Sequence, residues 1–151
     1  GPRQTGQYGM VVPRFVRAAL RNEPIEVHGD GTQSRCFGHV ADVVEGLVRL
    51  LENHDCFGKV VNLGNSHEVT INELAQRAIS LTGSKSEIRY VPYAEVYGEG
   101  FEDMRRRVPS LEKAAELIGY SPTRSLDDII KDVAAELREA LPESNSLHAQ
   151  K

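Results

Sequence analysis

Residues 29–37 read GDGTQSRCF, so a glycine-bracketed turn delivers one arginine, Arg35, onto a short β-like run. A guanidinium carries a permanent charge and a planar fork of donors, which suits two-point contact with phosphate oxygens. Gly-Asp-Gly also marks ordinary hairpin turns, and the plain alternative for Arg35 is an exposed cation on a hairpin arm. Two further segments carry polar chemistry. Residues 60–64 read VVNLG and place Asn62, an amide able either to donate to an anion or to close a turn. Residues 105–107 are three consecutive arginines, with Glu99, Glu102 and Asp103 just before them. Such a mixed run reads as a solvated loop, and it offers few cations for the counterion release that drives nucleic-acid binding.

The elements that must position these residues alternate, as in an α/β protein. Val12, Phe15, Val16, Ala19 and Leu20 recur at helical spacing, and that helix stops near Asn22, ahead of Pro24. Residues 25–28 and 35–40 read as strands around the glycine turn. A helix follows with Val43, Leu47, Leu50 and Leu51 inside and Asp42 as its cap. Residues 59–63 read as a short apolar strand. Thr70 and Glu73 have capping-box spacing before Leu74, Ala75 and Ala78, and Gly83 ends that helix. Residues 87–91 form another strand, whereas 92–109 show no sustained periodicity. Ser110 is placed to cap a helix over 111–118 that stops at Gly119. Ser125 and Asp128 repeat the capping pattern before Leu126, Ile129, Ile130, Val133 and Leu137. The expectation is one domain over residues 1–141 and a polar, disordered tail over 142–151.

Composition excludes several classes. The 151 residues, 40% hydrophobic and 26% charged, suit a globular domain. A net charge of −4 lacks the basic excess of a nucleic-acid binder. No apolar run approaches the roughly 20 residues that cross a bilayer. Cys36 and Cys56 have no metal-ligand spacing, and no two of the five histidines are placed for a metal on one helix face. Cys36 reads as a small buried hydrophobe, and the whole as a reduced, cytoplasmic chain.

Seven segments stand in a collinear order: 1–4 (GPRQ), 10–20 (MVVPRFVRAAL), 25–31 (IEVHGDG), 39–51 (HVADVVEGLVRLL), 60–65 (VVNLGN), 70–75 (TINELA) and 105–122 (RRRVPSLEKAAELIGYSP). In this order the chain resembles the C-terminal half of the extended short-chain dehydrogenases/reductases. These are the NAD-dependent sugar-nucleotide epimerases, dehydratases and decarboxylases. The resemblance runs from Gly1 to about Ala140 and implies a Rossmann-like α/β fold with a small substrate-binding subdomain. It implies that Arg35 is the family's phosphate-binding arginine and that Arg107 also reaches the nucleotide. By the same resemblance Asn62 lies near the phosphates. His28 replaces a common tyrosine close to the base pocket, and the backbone around Val11 lines that pocket. Arg3 closes a loop towards the sugar. Ser110 departs from the family's usual aspartate, so it offers a ribose hydroxyl a shorter, uncharged partner or simply caps a helix.

The resemblance also implies an upstream glycine-rich dinucleotide fingerprint and a Tyr-x-x-x-Lys pair, and neither occurs in this sequence. Tyr120 comes nearest, with Arg124 at the lysine position, but arginine's fixed charge cannot tune proton transfer. The expectation is a binding portion for a sugar nucleotide, UDP-sugar foremost, with no catalytic residue. It would bind no cofactor alone, with NAD(P) implied for the parent. That parent would be a homodimer supplied with an N-terminal dinucleotide-binding half. The alternative is a stand-alone, non-catalytic nucleotide-binding or assembly module derived from the same fold.

Overall fold

A computed structural model describes residues 1–4, 10–100 and 102–140. In chain order run α1 (Val11–Leu20), β1 (Ile25–His28), β2 (Ser34–Cys36), α2 (Val40–Glu52), a 3₁₀ turn (His54–Cys56), β3 (Glu68–Thr70) and α3 (Ile71–Thr82). There follow β4 (Ile88–Val91), α4 (Tyr93–Tyr97), α5 (Glu112–Ile118) and α6 (Leu126–Ala140). Helical periodicity puts Phe15, Val16 and Ala19 of α1, Leu74, Ala75 and Ala78 of α3, and Ile129, Ile130 and Val133 of α6 into one core. Ile25 and Val27 of β1 are fully buried beneath them.

β1 pairs in parallel with β4, Ile25 opposite Ile88, while β2 pairs antiparallel with β3, Arg35 opposite Val69. The two strands around the glycine turn therefore do not form a hairpin. They belong to different two-stranded sheets. Gly29 and Gly31, at φ 75° and 72°, swing the chain from one sheet to the other. A side chain at Gly31 would overlap the Asn72 amide.

Several sequence expectations are corrected. The second strand ends at Cys36 rather than Val40, because Gly38 lies against the backbone of Gly64 and the chain turns there into α2. Residues 59–63 form no strand among the described residues. Val60 is 85% exposed, and no neighbouring strand supplies the hydrogen bonds an extended segment needs. Asp42 does not cap α2. His39 does, its Nδ1 accepting from the Ala41 N–H at 3.0 Å while Nε2 bonds Asp132 at 3.0 Å. Leu47 and Leu51 of α2 face outward, and the buried positions are Asp42 and Gly46. Gly46 is buried because its bare backbone admits Leu63 and the Tyr120 ring; an added Cβ would lie 2.9 Å from each. Ser110 makes no cap: α5 begins after Leu111 without a side-chain hydrogen bond. A short helix, α4, interrupts the aperiodic stretch, and Cys36 is half-buried while Cys56 is buried. The predicted disordered tail lies outside the described residues.

Other signals hold. Thr70 Oγ1 accepts from the Glu73 N–H at 3.1 Å, and Gly83 and Gly119 end their helices in the left-handed conformation. Glu73 does not reach back to Thr70; its carboxylate pairs with Arg77, which also bonds Asp127 of α6. The Ser125–Asp128 box is reciprocal: Asp128 accepts from the Ser125 N–H, and Ser125 Oγ accepts from the Asp128 N–H. Among the described residues no helix is long and apolar enough to cross a membrane.

Asp42, 3% exposed, ties α2 to the approach of α6. Its carboxylate accepts from the Arg124 N–H at 3.1 Å, the Arg124 guanidinium at 2.5 Å and the Thr123 hydroxyl at 3.1 Å. Burial pushes this carboxyl upward, but the bonds from Arg124 and Thr123 together outweigh burial and hold it below the usual range. A depressed native pKa means stability present above the unfolded value, about 3.9, and lost as pH falls through the native one. Asp42→Asn should therefore cost about 1.5–3 kcal/mol at neutral pH, the range for hydrogen bonds to charged groups. The gap from the parent, measured by urea unfolding, should close as pH drops below 4. Ser125→Ala should cost about 1 kcal/mol through its lost cap, whereas Ser110→Ala should be nearly silent in the same unfolding assay.

Candidate functional site

One cleft of about 910 Å3 opens between α1, the end of β1, β2, residues 62–65, α4 and residues 103–109. Val11, His28, Arg35, Asn62 and Arg107 all line it, so the fold brings the five sequence-derived candidates to one place. Phe15, Phe37, Val108 and Pro109 provide apolar walls.

Arg35 projects from β2 with its side chain 18% exposed. Its Nη2 donates to Asp103 Oδ1 at 2.7 Å and its Nη1 to the Ser34 carbonyl at 2.7 Å. The three arginines after Asp103 have separate fates. Arg105 stands 3.7 Å from Asp30, and Arg106 clasps Glu68 with two nitrogens. Arg107 lines the cleft and makes no ion pair among the described residues. Asn62 is exposed and donates to the Ser110 carbonyl at 3.3 Å, which links the two polar segments beside the cleft. Arg3 is not among the lining residues; its backbone N–H donates to Glu136 of α6.

His28 ends β1 between two partners. Arg14 Nη2 lies 3.1 Å from its Nε2, and Tyr97 Oη lies 3.1 Å from its Nδ1. A guanidinium can only donate, so Nε2 accepts and Nδ1 carries the proton towards the tyrosine. Burial first, and then the Arg14 charge, lower the pKa of this ring, with Glu26 opposing. His28 is therefore a neutral ring held edge-on to Tyr97, with 5.5 Å between centroids.

The sequence reading missed Arg14, Gln33, Tyr93, Tyr97 and Asp103, all of which line the cleft. Helical spacing from Val11 would have found Arg14, three residues on along the same face. Gln33, 8% exposed, donates to the His28 carbonyl at 3.1 Å, and its Oε1 has no hydrogen-bond partner among the described residues. No periodicity announces the two tyrosines of α4. Asp103 looked like one more acid in a solvated run.

The lining therefore offers three arginines (Arg14, Arg35, Arg107) against two carboxylates, Glu26 and Asp103, beside apolar walls. In a chain of net charge −4 that local cationic excess suits an anionic ligand with a flat or apolar part. The Gly29–Gly31 turn leads into β2, so it is not the helix-opening turn that holds a dinucleotide's pyrophosphate.

The chain is similar to known proteins over most of its length. The model of the NAD dependent epimerase/dehydratase family matches residues 1–64. The chain is 39% identical over 140 residues to the UDP-N-acetyl-alpha-D-glucosaminuronate decarboxylase of Bacillus cytotoxicus, covering 92% of this chain and 43% of that protein. It is 39% identical over 128 residues to UDP-glucuronic acid decarboxylase 1 of Danio rerio, covering 85% of this chain and 29% of that protein. Among solved structures, the UDP-glucose 4-epimerase of Thermotoga maritima with UDP-glucose superposes with a TM-score of 0.82 at 31% identity, over 94% of this chain and 44% of that one. The UDP-glucuronic acid 4-epimerase of Bacillus cereus, in complex with UDP-glucuronic acid and NAD, gives 0.82 at 25% identity, over 93% and 43%. The chain thus spans less than half the length of these relatives. With the α/β architecture and the seven collinear segments, these matches establish that the chain belongs to the NAD-dependent epimerase/dehydratase family and corresponds to a C-terminal part of its Rossmann-like fold.

Proposed function

We propose that this chain is the nucleotide-gripping part of an NAD-dependent UDP-sugar epimerase, dehydratase or decarboxylase. The observation that carries the reading is the convergence of Arg35, Arg107, Asn62, His28 and Val11 on one cationic cleft. Arg35 and Arg107 take the diphosphate, Asn62 donates beside it, and His28 with the Val11 backbone borders the base. No Tyr-x-x-x-Lys pair and no dinucleotide turn stand in these 151 residues. The chain by itself binds; hydride transfer and proton abstraction belong to the rest of the family architecture.

The outer face of α2 supports the same reading. Val40, Val44, Leu47, Val48 and Leu51 form an apolar stripe, each residue 44–74% exposed, with Phe57 and Val60 close by in sequence. A stripe of this kind marks an interface. Its occupant is the part of the family's length that this chain does not span, the dinucleotide-binding half.

Two outcomes follow. In calorimetric titration Arg35→Ala should weaken UDP binding by about 1.5–3 kcal/mol and leave uridine binding almost unchanged, because uridine lacks the phosphates. Arg35→Lys should recover only part of the loss, and Arg107→Ala should exceed Arg105→Ala. UDP binding unaltered by Arg35→Ala would remove the assignment. Separately, sedimentation of the 151-residue chain should show self-association at micromolar concentration, relieved by a Leu47→Glu/Leu51→Glu variant. A monomer with a cooperative melt would favour an autonomous module instead.

A further inference from the structure

Arg35 is held within the cleft by two other lining residues, Asp103 and, through it, Tyr93. Asp103 presents both carboxylate oxygens to partners: Oδ1 accepts from Arg35 Nη2 at 2.7 Å, and Oδ2 accepts from the Tyr93 hydroxyl at 3.2 Å. Both members of the ion pair are substantially buried, at 18% and 28% side-chain exposure. Tyr93 in turn is seated by backbone. Gly29, at φ 75°, lies so close to the Tyr93 ring that any side chain there would overlap it, and its N–H is fixed to the Val91 carbonyl at 2.8 Å. Burial, together with the charge of Asp103 and the hydrogen bond to it, pushes the Tyr93 hydroxyl up to about 12. The phenol therefore stays a donor throughout the physiological range.

We propose that Asp103 and Tyr93 are positioning residues that aim the Arg35 fork into the cleft. This inference rests on the reading of Arg35 as the diphosphate grip. Of the five guanidinium N–H groups, one on Nη2 goes to Asp103 and one on Nη1 to the Ser34 carbonyl, which leaves three for a ligand. An unheld arginine would have to lose its rotamer freedom on binding; one already fixed at two nitrogens binds at lower entropic cost. The carboxylate also subtracts from the local positive charge, so the opposite arrangement makes a distinct prediction. If Asp103 merely occupied the phosphate's place, removing it would tighten binding.

The test titrates UDP and uridine into the chain and its variants, with thermal melts to verify folding. Asp103→Ala should weaken UDP binding about ten-fold and uridine binding less than about two-fold. Asp103→Asn keeps an acceptor and should restore UDP binding to within about three-fold of the parent. Tyr93→Phe removes one hydrogen bond without emptying the space and should weaken UDP binding by about two- to five-fold. Arg35→Ala/Asp103→Ala should bind UDP no worse than Arg35→Ala alone, because a positioning residue has nothing left to position. UDP binding unchanged or tightened in Asp103→Ala or Tyr93→Phe, with Arg35→Ala still impaired, overturns the proposal and leaves the grip standing. UDP binding unchanged in Arg35→Ala removes the grip itself.

Discussion

Half-buried arginines facing the same space repel one another and are poorly solvated unless each is given an acceptor. The cleft meets this constraint twice. Arg35 is held by Asp103, and Arg14 by the acceptor nitrogen of a neutral His28. Both arrangements end on α4, whose Tyr93 bonds Asp103 and whose Tyr97 bonds His28. The two tyrosines lie one helical turn apart, with ring centroids separated by 6.1 Å. A five-residue helix without any buried residue thus organises the cationic side of the cleft.

The rest of the structure serves that arrangement. α1, α3 and α6 bury β1 deeply enough to fix where His28 emerges. β3 holds β2 in register, which sets the direction of Arg35. The Asp42–Arg124 pair ties α2 to the approach of α6, and the Tyr120 hydroxyl donates to the Gly64 carbonyl while accepting from the Gly64 N–H, close to Asn62. The Asp42 and Tyr120 connections join elements far apart in sequence through a polar group with a fixed geometry.

How much of this was legible follows from range. Periodicity and caps are local, so α1, α3 and α6, the Thr70 and Ser125 caps, and the glycine ends of α3 and α5 could be read directly. Arg35 and Arg107 stand out in the sequence through the family resemblance of their segments, and the fold places both on the cleft. His39 rather than Asp42 caps α2 because Thr123 and Arg124, more than eighty residues on, claim the aspartate. The strand expected at residues 59–63 failed for the same kind of reason: a strand is defined by its neighbour, and apolar composition alone cannot provide one. The partners of Arg35 and His28 lie 68 and 69 residues away, in a stretch whose sequence shows no period.

The parallel pairing of β1 with β4 bears on how the molecule comes to be folded. Ile25 and Ile88 are more than sixty residues apart, so their ladder closes one of the larger loops in the chain before any of its contacts is gained. Helices such as α1 and α3 form from neighbours in sequence, while this ladder must wait for a distant encounter. His28 is its last rung, opposite Val91, and α4 begins two residues beyond that strand. The floor and the organising helix of the cleft therefore both depend on this one long-range pairing. A chain with native helix content and an unpaired β1 would look folded by far-ultraviolet dichroism and still have no site.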